Sequence, residues 1–218
     1  MTARCAIYVA PGLPPWDGPV ASAVRERADA RIARTVSARR YGYHATLKAP
    51  FRLHHGLSID DDLVPAVAEF AAARRAVTVP AADIRSIGSF WAIMPGAPAP
   101  ELHALSDQVV SEFDRFRARP SDAEIARRHP ELLTERQREL LERWGYPYVF
   151  DEFRFHITLT DELPERKLES VGADLRAEFA AYLGADLPVS ALVVFVEPEP
   201  GAEFFVHSIH PLSAEEAK

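Results

Sequence analysis

The chain has 218 residues, of which 48% are hydrophobic and 26% charged, so it is long enough for one large domain or two small lobes and is too apolar for a disordered chain. Its formal net charge of −7 argues against a protein that coats long nucleic acid, although it leaves room for a local basic pocket. A single cysteine, Cys5, excludes an internal disulfide and is typical of a reducing compartment. No apolar run approaches the roughly 18 residues of a membrane helix, and the N-terminal run is too short for a signal peptide. We therefore expect a soluble cytoplasmic protein that is a monomer.

Strands and helices are predicted to alternate along the chain. The apolar patterns predict strands at 4–10, 43–51, 77–85, 90–94, 153–160, 188–197 and 203–209, and helices at 19–33, 60–75, 101–118 and 166–183. Residues 120–145 are charged and helix-forming, and Pro130 is expected to divide them into two short helices. The turn-rich EPEPGA between the last two strands suits a hairpin.

This order of elements contains an internal repeat. His44 and His156 each begin a His-x-Thr-Leu motif, and they lie 112 residues apart. The helix and strand that follow His44 recur at the same spacing after His156, whereas the preceding strands are only 85 residues apart. The difference between these two spacings is close to the length of the segment 120–145. The sequence therefore predicts one bilobal α+β domain over 1–218 made of two β-α-β-α-β lobes, 1–87 and 88–218, with a helical insertion at 120–145 in the second half.

Each histidine lies on the polar face of a half-buried strand, because alternate residues of a strand share a face. In both strands the apolar residues lie on one face, which packs on the core. The opposite faces carry the polar side chains His44, Thr46 and Lys48 in the first strand and Arg154, His156 and Thr158 in the second.

A phosphodiester that is cleaved in line needs a base on one side and an acid on the other, and two imidazoles can supply both near neutral pH. Thr46 and Thr158 could donate hydrogen bonds to the non-bridging phosphate oxygens, and Lys48 and Arg154 could offset the developing charge. Tyr41 and Tyr43 are further candidates for substrate binding. The sequence predicts no metal site and no cofactor, since no histidine and carboxylate cluster has ligand spacing. A lone histidine on a strand is more often structural, but two such motifs in equivalent repeat positions favour a catalytic pair.

The motifs HATL at 44–47 and HITL at 156–159 resemble those of the two-histidine phosphoesterases, which include 2′-5′ RNA ligase-like proteins and cyclic nucleotide phosphodiesterases. The wider contexts YGYHATLKAPF and FRFHITLTDEL resemble an uncharacterised branch encoded beside phosphonate-degradation genes. The resemblance implies a bilobal α+β fold whose antiparallel sheets face a central groove. It also implies metal-independent chemistry at a phosphodiester, with His44 and His156 as the catalytic pair and Thr46 and Thr158 as phosphate ligands.

Three functions remain open from the sequence. The first is hydrolysis of a small cyclic phosphodiester, for which a cyclic ribose phosphate from phosphonate breakdown is a candidate by analogy. The second is processing of RNA 2′,3′-cyclic ends or 2′-5′ linkages, against which the negative net charge counts. The third is a nucleotide-binding module without turnover. The insertion could be a lid whose Arg127 and Arg128 reach the substrate, or a solvated elaboration.

Overall fold

The computed structural model describes residues 3–213 with the exception of residues 14 and 16. Its strands follow the predicted order. They are β1 Arg4–Val9, β2 Ala45–Phe51, β3 Val77–Val79, β4 Asp83–Ile87, β5 Phe90–Met94, β6 Ile157–Thr158, β7 Leu187–Val189, β8 Ala191–Glu197 and β9 Phe205–Pro211. The α-helices are α1 Gly18–Ile32, α2 Val64–Ala72, α3 Pro100–Glu112, α4 Asp122–Ala126, α5 Glu135–Trp144 and α6 Glu165–Glu178.

Two of the predicted strands are each divided in two. The segment predicted as 77–85 is interrupted between β3 and β4, where Pro80 lacks a backbone donor and Ala81 has a φ of 46°. The segment predicted as 188–197 is interrupted at Ser190, between β7 and β8. The strand predicted at 153–160 is also shorter than expected, because only Ile157 and Thr158 pair with β5.

The strand pairs are antiparallel and show how the duplication is built. One sheet has the order β2-β1-β8-β9, a second has the order β4-β5-β6, and β3 pairs with β7. In each half the first strand pairs with the histidine strand, β1 with β2 and β5 with β6. The strand on the other side of this pair comes from the other half of the chain: β8 pairs with β1, and β4 pairs with β5. The two halves of the chain therefore exchange these strands.

Strand pairs cross the predicted lobe boundary between residues 87 and 88. β4 pairs with β5 across this boundary through a short turn at Gly88, whose φ is 57°, and β8 pairs with β1. The physical reason is the break at residues 80–82, which lets the chain leave β3 and enter the other sheet. The register still supports a duplication, since Thr46 lies opposite Tyr8 as Thr158 lies opposite Ala92.

The core lies between the sheets and the helices that cover them, with α2 on β8 and β9, α3 on β2 and α6 on β4. At one point α6 approaches β5 so closely that only glycine fits. A Cβ atom on Gly172 would lie 2.0 Å from the Trp91 ring, and the Trp91 indole N–H donates to the Leu168 carbonyl at 2.9 Å. No helix in the described part of the chain is both long and apolar enough to span a membrane.

The insertion is helical, as predicted, and Pro130 starts the turn that separates α4 from α5. Both helices begin with a capping box, in which Ser121 or Thr134 accepts a hydrogen bond from the backbone three residues on. His129, just before Pro130, has a positive φ of 50°, so the chain reverses sharply between the two helices. These local signals define the insertion as a structured part of the molecule.

Candidate active site

The two histidines have the same local geometry. His44 immediately precedes β2 and His156 immediately precedes β6. In each ring Nδ1 bonds the backbone carbonyl two residues earlier, Gly42 at 3.0 Å and Arg154 at 2.8 Å. Because a carbonyl oxygen only accepts, Nδ1 carries the proton and donates it. Nε2 of each neutral imidazole is therefore the atom free to accept a proton.

Aromatic side chains hold the histidine rings in place. Tyr8 of β1 stacks on His44 with a centroid distance of 4.2 Å and an interplanar angle of 29°. Tyr41 lies 5.7 Å from the same ring, and Phe90 lies 5.9 Å from the His156 ring. Packing of this kind restricts the imidazoles to one orientation, which proton transfer requires.

Two adjoining cavities bring the predicted residues together. One, of about 250 Å³, is lined by His44, Thr46 and Thr158, and the other, of about 380 Å³, is lined by His156, Thr46 and Arg154. Thr46 and Tyr146 line both cavities, so we treat the two as one feature, the histidine groove. A groove of this size suits a small molecule.

Burial favours the neutral form of both imidazoles. It lowers the pKa of His44 to about 4, with the Gly42 carbonyl opposing the shift and the charge of His156 adding to it. Burial likewise lowers the pKa of His156, against the effect of the Arg154 carbonyl. Both rings therefore favour the neutral form at pH 7. A bound anion would favour protonation of one of them.

Two of the residues predicted to bind substrate line the histidine groove. Tyr41 lines the cavity that contains His44, and the exposed Arg154 lines the cavity that contains His156.

Lys48 and Tyr43 do not line the histidine groove, so the structure does not bring them together with the other residues predicted to bind substrate. The pairing of β1 with β2 is irregular beyond Thr46, because Tyr8 pairs with Thr46 but Ile7 pairs with Lys48. This bulge turns Lys48 into the protein, where its ammonium group contacts Asp114 at 3.3 Å. Tyr43 precedes His44 directly, points to the opposite side and is 2% exposed.

Several residues of the histidine groove were not found from the sequence. They are Arg4, Tyr8, Phe90, Tyr146 and Tyr148, whereas Arg128 is one of the two arginines that the lid hypothesis names. The sequence carried a signal for Tyr8, which is the one aromatic residue in the strand RCAIYV. Arg128 and the two tyrosines belong to or follow the insertion, so this segment forms part of the groove wall. The described residues contain no group of three or more histidine, cysteine, aspartate or glutamate side chains that could hold a metal ion.

Comparison with solved structures defines the class of fold. The crystal structure of E. coli LigT complexed with 3′-AMP aligns with 98% of this chain and 99% of that chain, at a TM-score of 0.51 and 13% sequence identity. The chain thus has the fold of that protein, and the predicted α+β fold with antiparallel sheets is confirmed.

The family follows from the sequence itself. Residues 46–205 match the family described as protein of unknown function, DUF1045, and the chain belongs to that family. Two proteins named ribose 1,5-bisphosphate phosphokinase PhnN are similar to it. The one from Janthinobacterium sp. (strain Marseille) is 38% identical over 185 residues, covering 83% of this chain and 41% of that protein. The one from Laribacter hongkongensis (strain HLHK9) is 36% identical over 171 residues, covering 78% and 39%. The chain spans about two fifths of the length of these relatives.

Proposed function

We propose that the chain is a metal-independent phosphodiesterase that hydrolyses a small cyclic phosphodiester, with His44 and His156 as its acid–base pair. The observation that carries this proposal is the shared geometry of the two rings. Each ring donates through Nδ1 to the backbone carbonyl two residues earlier and leaves Nε2 for proton transfer, and both line the histidine groove. A binding module would need donors to the phosphate but no such pair of proton carriers.

In the proposed reaction His44 is the base and His156 is the acid. His44 accepts a proton from a water molecule, whose oxygen attacks phosphorus. The bond from phosphorus to the opposite ester oxygen breaks, and that oxygen takes a proton from His156. The hydroxyls of Thr46 and Thr158 donate hydrogen bonds to the non-bridging oxygens, where negative charge increases. The stronger lowering of the His44 pKa supports its role as the base, since it keeps this ring neutral.

The substrate class we propose is a cyclic phosphodiester of ribose, formed in phosphonate breakdown. The curated relatives are named as kinases of ribose 1,5-bisphosphate, and this chain corresponds to about two fifths of their length. A region joined to a kinase of that sugar phosphate is well placed to act on a related one. Opening a cyclic ribose phosphate yields a ribose phosphomonoester, the class of compound that such a kinase uses.

A nucleotide substrate is the second candidate. The cavity beside His156 is lined by the aromatic residues Phe90, Tyr146 and Tyr148, on which a base could stack. This observation favours a nucleoside 2′,3′-cyclic phosphate as an alternative to the ribose compound.

We expect turnover of one of these cyclic phosphodiesters to continue in the presence of a chelator. The test compares a cyclic ribose phosphate and nucleoside 2′,3′-cyclic phosphates with and without EDTA, measuring release of the phosphomonoester. Loss of turnover with EDTA and recovery with a divalent ion would contradict the metal-independent mechanism. Binding of these compounds with no turnover would instead indicate a binding module.

The pH dependence is expected to reflect two half-buried imidazoles. A plot of kcat/KM against pH should be bell-shaped, since the base must be neutral and the acid protonated. Its acidic limb should lie near pH 4, because His44 is protonated below its lowered pKa of about 4 and cannot accept a proton. Its alkaline limb should lie below the usual imidazole value of 6.5, because the pKa of His156 is lowered too. A bound phosphate raises both pKa values, so the kcat profile should move to higher pH. A kcat/KM optimum above pH 7 would contradict this assignment.

A further inference from the structure

A further cavity, of about 180 Å³, adjoins the histidine groove, and six of the residues that line it are arginines. We call it the arginine cavity, and its arginines are Arg4, Arg40, Arg52, Arg117, Arg127 and Arg128. Arg4, Tyr41 and Arg128 line both the arginine cavity and the histidine groove. A molecule held at the histidines could therefore reach into this cavity.

Some of the positive charge is balanced within the protein. Arg4 and Arg40 both contact the buried carboxylate of Glu197. Arg52 pairs with Glu124 at 2.8 Å, and Arg117 pairs with Asp114 at 2.7 Å. Hydrogen bonds from Arg52, followed by those from Ser121, lower the pKa of Glu124 to about 2 despite its partial burial, so this carboxylate is already neutralised by its partner.

Arg127 and Arg128 are different. Within the described part of the chain no carboxylate lies at salt-bridge distance from either of them. Arg127 donates to the backbone carbonyl of Ala123 at 3.2 Å, and the guanidinium of Arg128 lies over the Tyr146 ring at 4.9 Å. Three carboxylates thus pair with the six arginines of this cavity, which leaves a local excess of positive charge. The chain as a whole has a net charge of −7. Such a local positive excess attracts an anion.

We propose that the arginine cavity binds a phosphomonoester on the same substrate molecule whose cyclic phosphodiester is cleaved at the histidines. This inference rests on the proposed function and defines its substrate class as doubly phosphorylated. Guanidinium groups bind phosphate through paired hydrogen bonds, which matches the side chains present. The size of the cavity suits a phosphate group with a few water molecules and is too small for a further nucleotide.

The test uses nucleoside 2′,3′-cyclic phosphates that carry or lack a 5′-phosphate. The wild-type protein should have a kcat/KM about 10–100-fold higher for the 5′-phosphorylated compound, mainly through a lower KM, because the extra contacts are charge-assisted hydrogen bonds. Arg127→Gln should reduce this preference by about tenfold. Arg127 is chosen because it lines the arginine cavity and not the histidine groove. Arg166→Gln, an exposed residue of α6 that lines neither cavity, should leave the preference unchanged.

Equal kcat/KM for the two compounds, or an Arg127→Gln variant with the full wild-type preference, would overturn the proposal. So would a preference for a cyclic-ended RNA oligonucleotide over the 5′-phosphorylated mononucleotide. If the wild type turns over neither of these nucleotides nor a cyclic ribose phosphate, the proposed function fails. Calorimetric titration with ribose 5-phosphate then tests phosphate binding in the arginine cavity separately. Binding of ribose 5-phosphate that is weakened in Arg127→Gln but not in Arg166→Gln would support the proposed phosphate site. No binding, or equal binding by both variants, would overturn it.

Discussion

Replacing His44 or His156 by alanine should lower kcat by about 10²–10⁴-fold, the usual contribution of a positioned acid or base. KM should change much less, because Thr46, Thr158 and the arginines still hold the phosphate groups. The two imidazoles act in one proton-transfer sequence, so the double variant should be only slightly slower than the worse single variant. Steady-state kinetics on a cyclic phosphodiester measure these effects.

His55→Ala provides a matched control, since this histidine is exposed and lies outside the histidine groove. It should retain the wild-type kcat. Circular dichroism and thermal unfolding show whether each variant is folded. If His44→Ala and His156→Ala fold normally and both turn over the substrate at wild-type rates, the proposed acid–base pair is wrong.

Replacing Glu197 by alanine should lower the free energy of unfolding by about 3–5 kcal/mol, the cost of removing one partner from a buried ion pair. Glu197 is fully buried at the end of β8, where its carboxylate contacts Arg4 and Arg40 and accepts the Gly201 backbone N–H at 2.9 Å. Its loss leaves two guanidinium groups without their shared carboxylate. Urea denaturation of the two proteins measures the difference.

Glu199→Ala is the matched control, because Glu199 is an exposed carboxylate two residues further along and should change the unfolding free energy by less than about 0.5 kcal/mol. Burial acts to raise the pKa of Glu197, but the hydrogen bonds from Arg4, Gly201 and Arg40 prevail and lower it. The stabilisation should therefore be present above the unfolded value of about 4.5 and disappear as the pH falls through the lower folded value. An equal denaturation midpoint for Glu197→Ala and Glu199→Ala would contradict this account.

Glu197→Ala and the histidine variants are expected to affect different properties of the protein. Both Arg4 and Arg40 line the arginine cavity, so Glu197→Ala should disturb phosphate binding as well as stability. The histidine variants should disturb turnover alone. Glu197 therefore connects the packing of the large sheet to the position of two arginines that line the arginine cavity.

The sequence by itself determined the features that depend on neighbouring residues along the chain. Alternation of polar and apolar residues placed His44 and Thr46 on one face of a strand, and His156 and Thr158 on the corresponding face of another. The distance between the motifs revealed the duplication, and the charged composition with Pro130 predicted the helical insertion. All of these follow from local periodicity and backbone preference, which the amino acids carry with them.

Only the tertiary structure decided which strands pair and how the groove is closed. The exchange of β4 and β8 depends on hydrogen bonds between segments far apart in sequence, which no local pattern specifies. The bulge that turns Lys48 towards Asp114 arises from the pairing of β2 with β1, because a register shift moves a side chain to the other face. The arginine cavity likewise gathers residues from β1, from the segments flanking β2 and from the insertion. Its excess of positive charge exists only after folding, since these arginines are spread along the chain from residue 4 to residue 128.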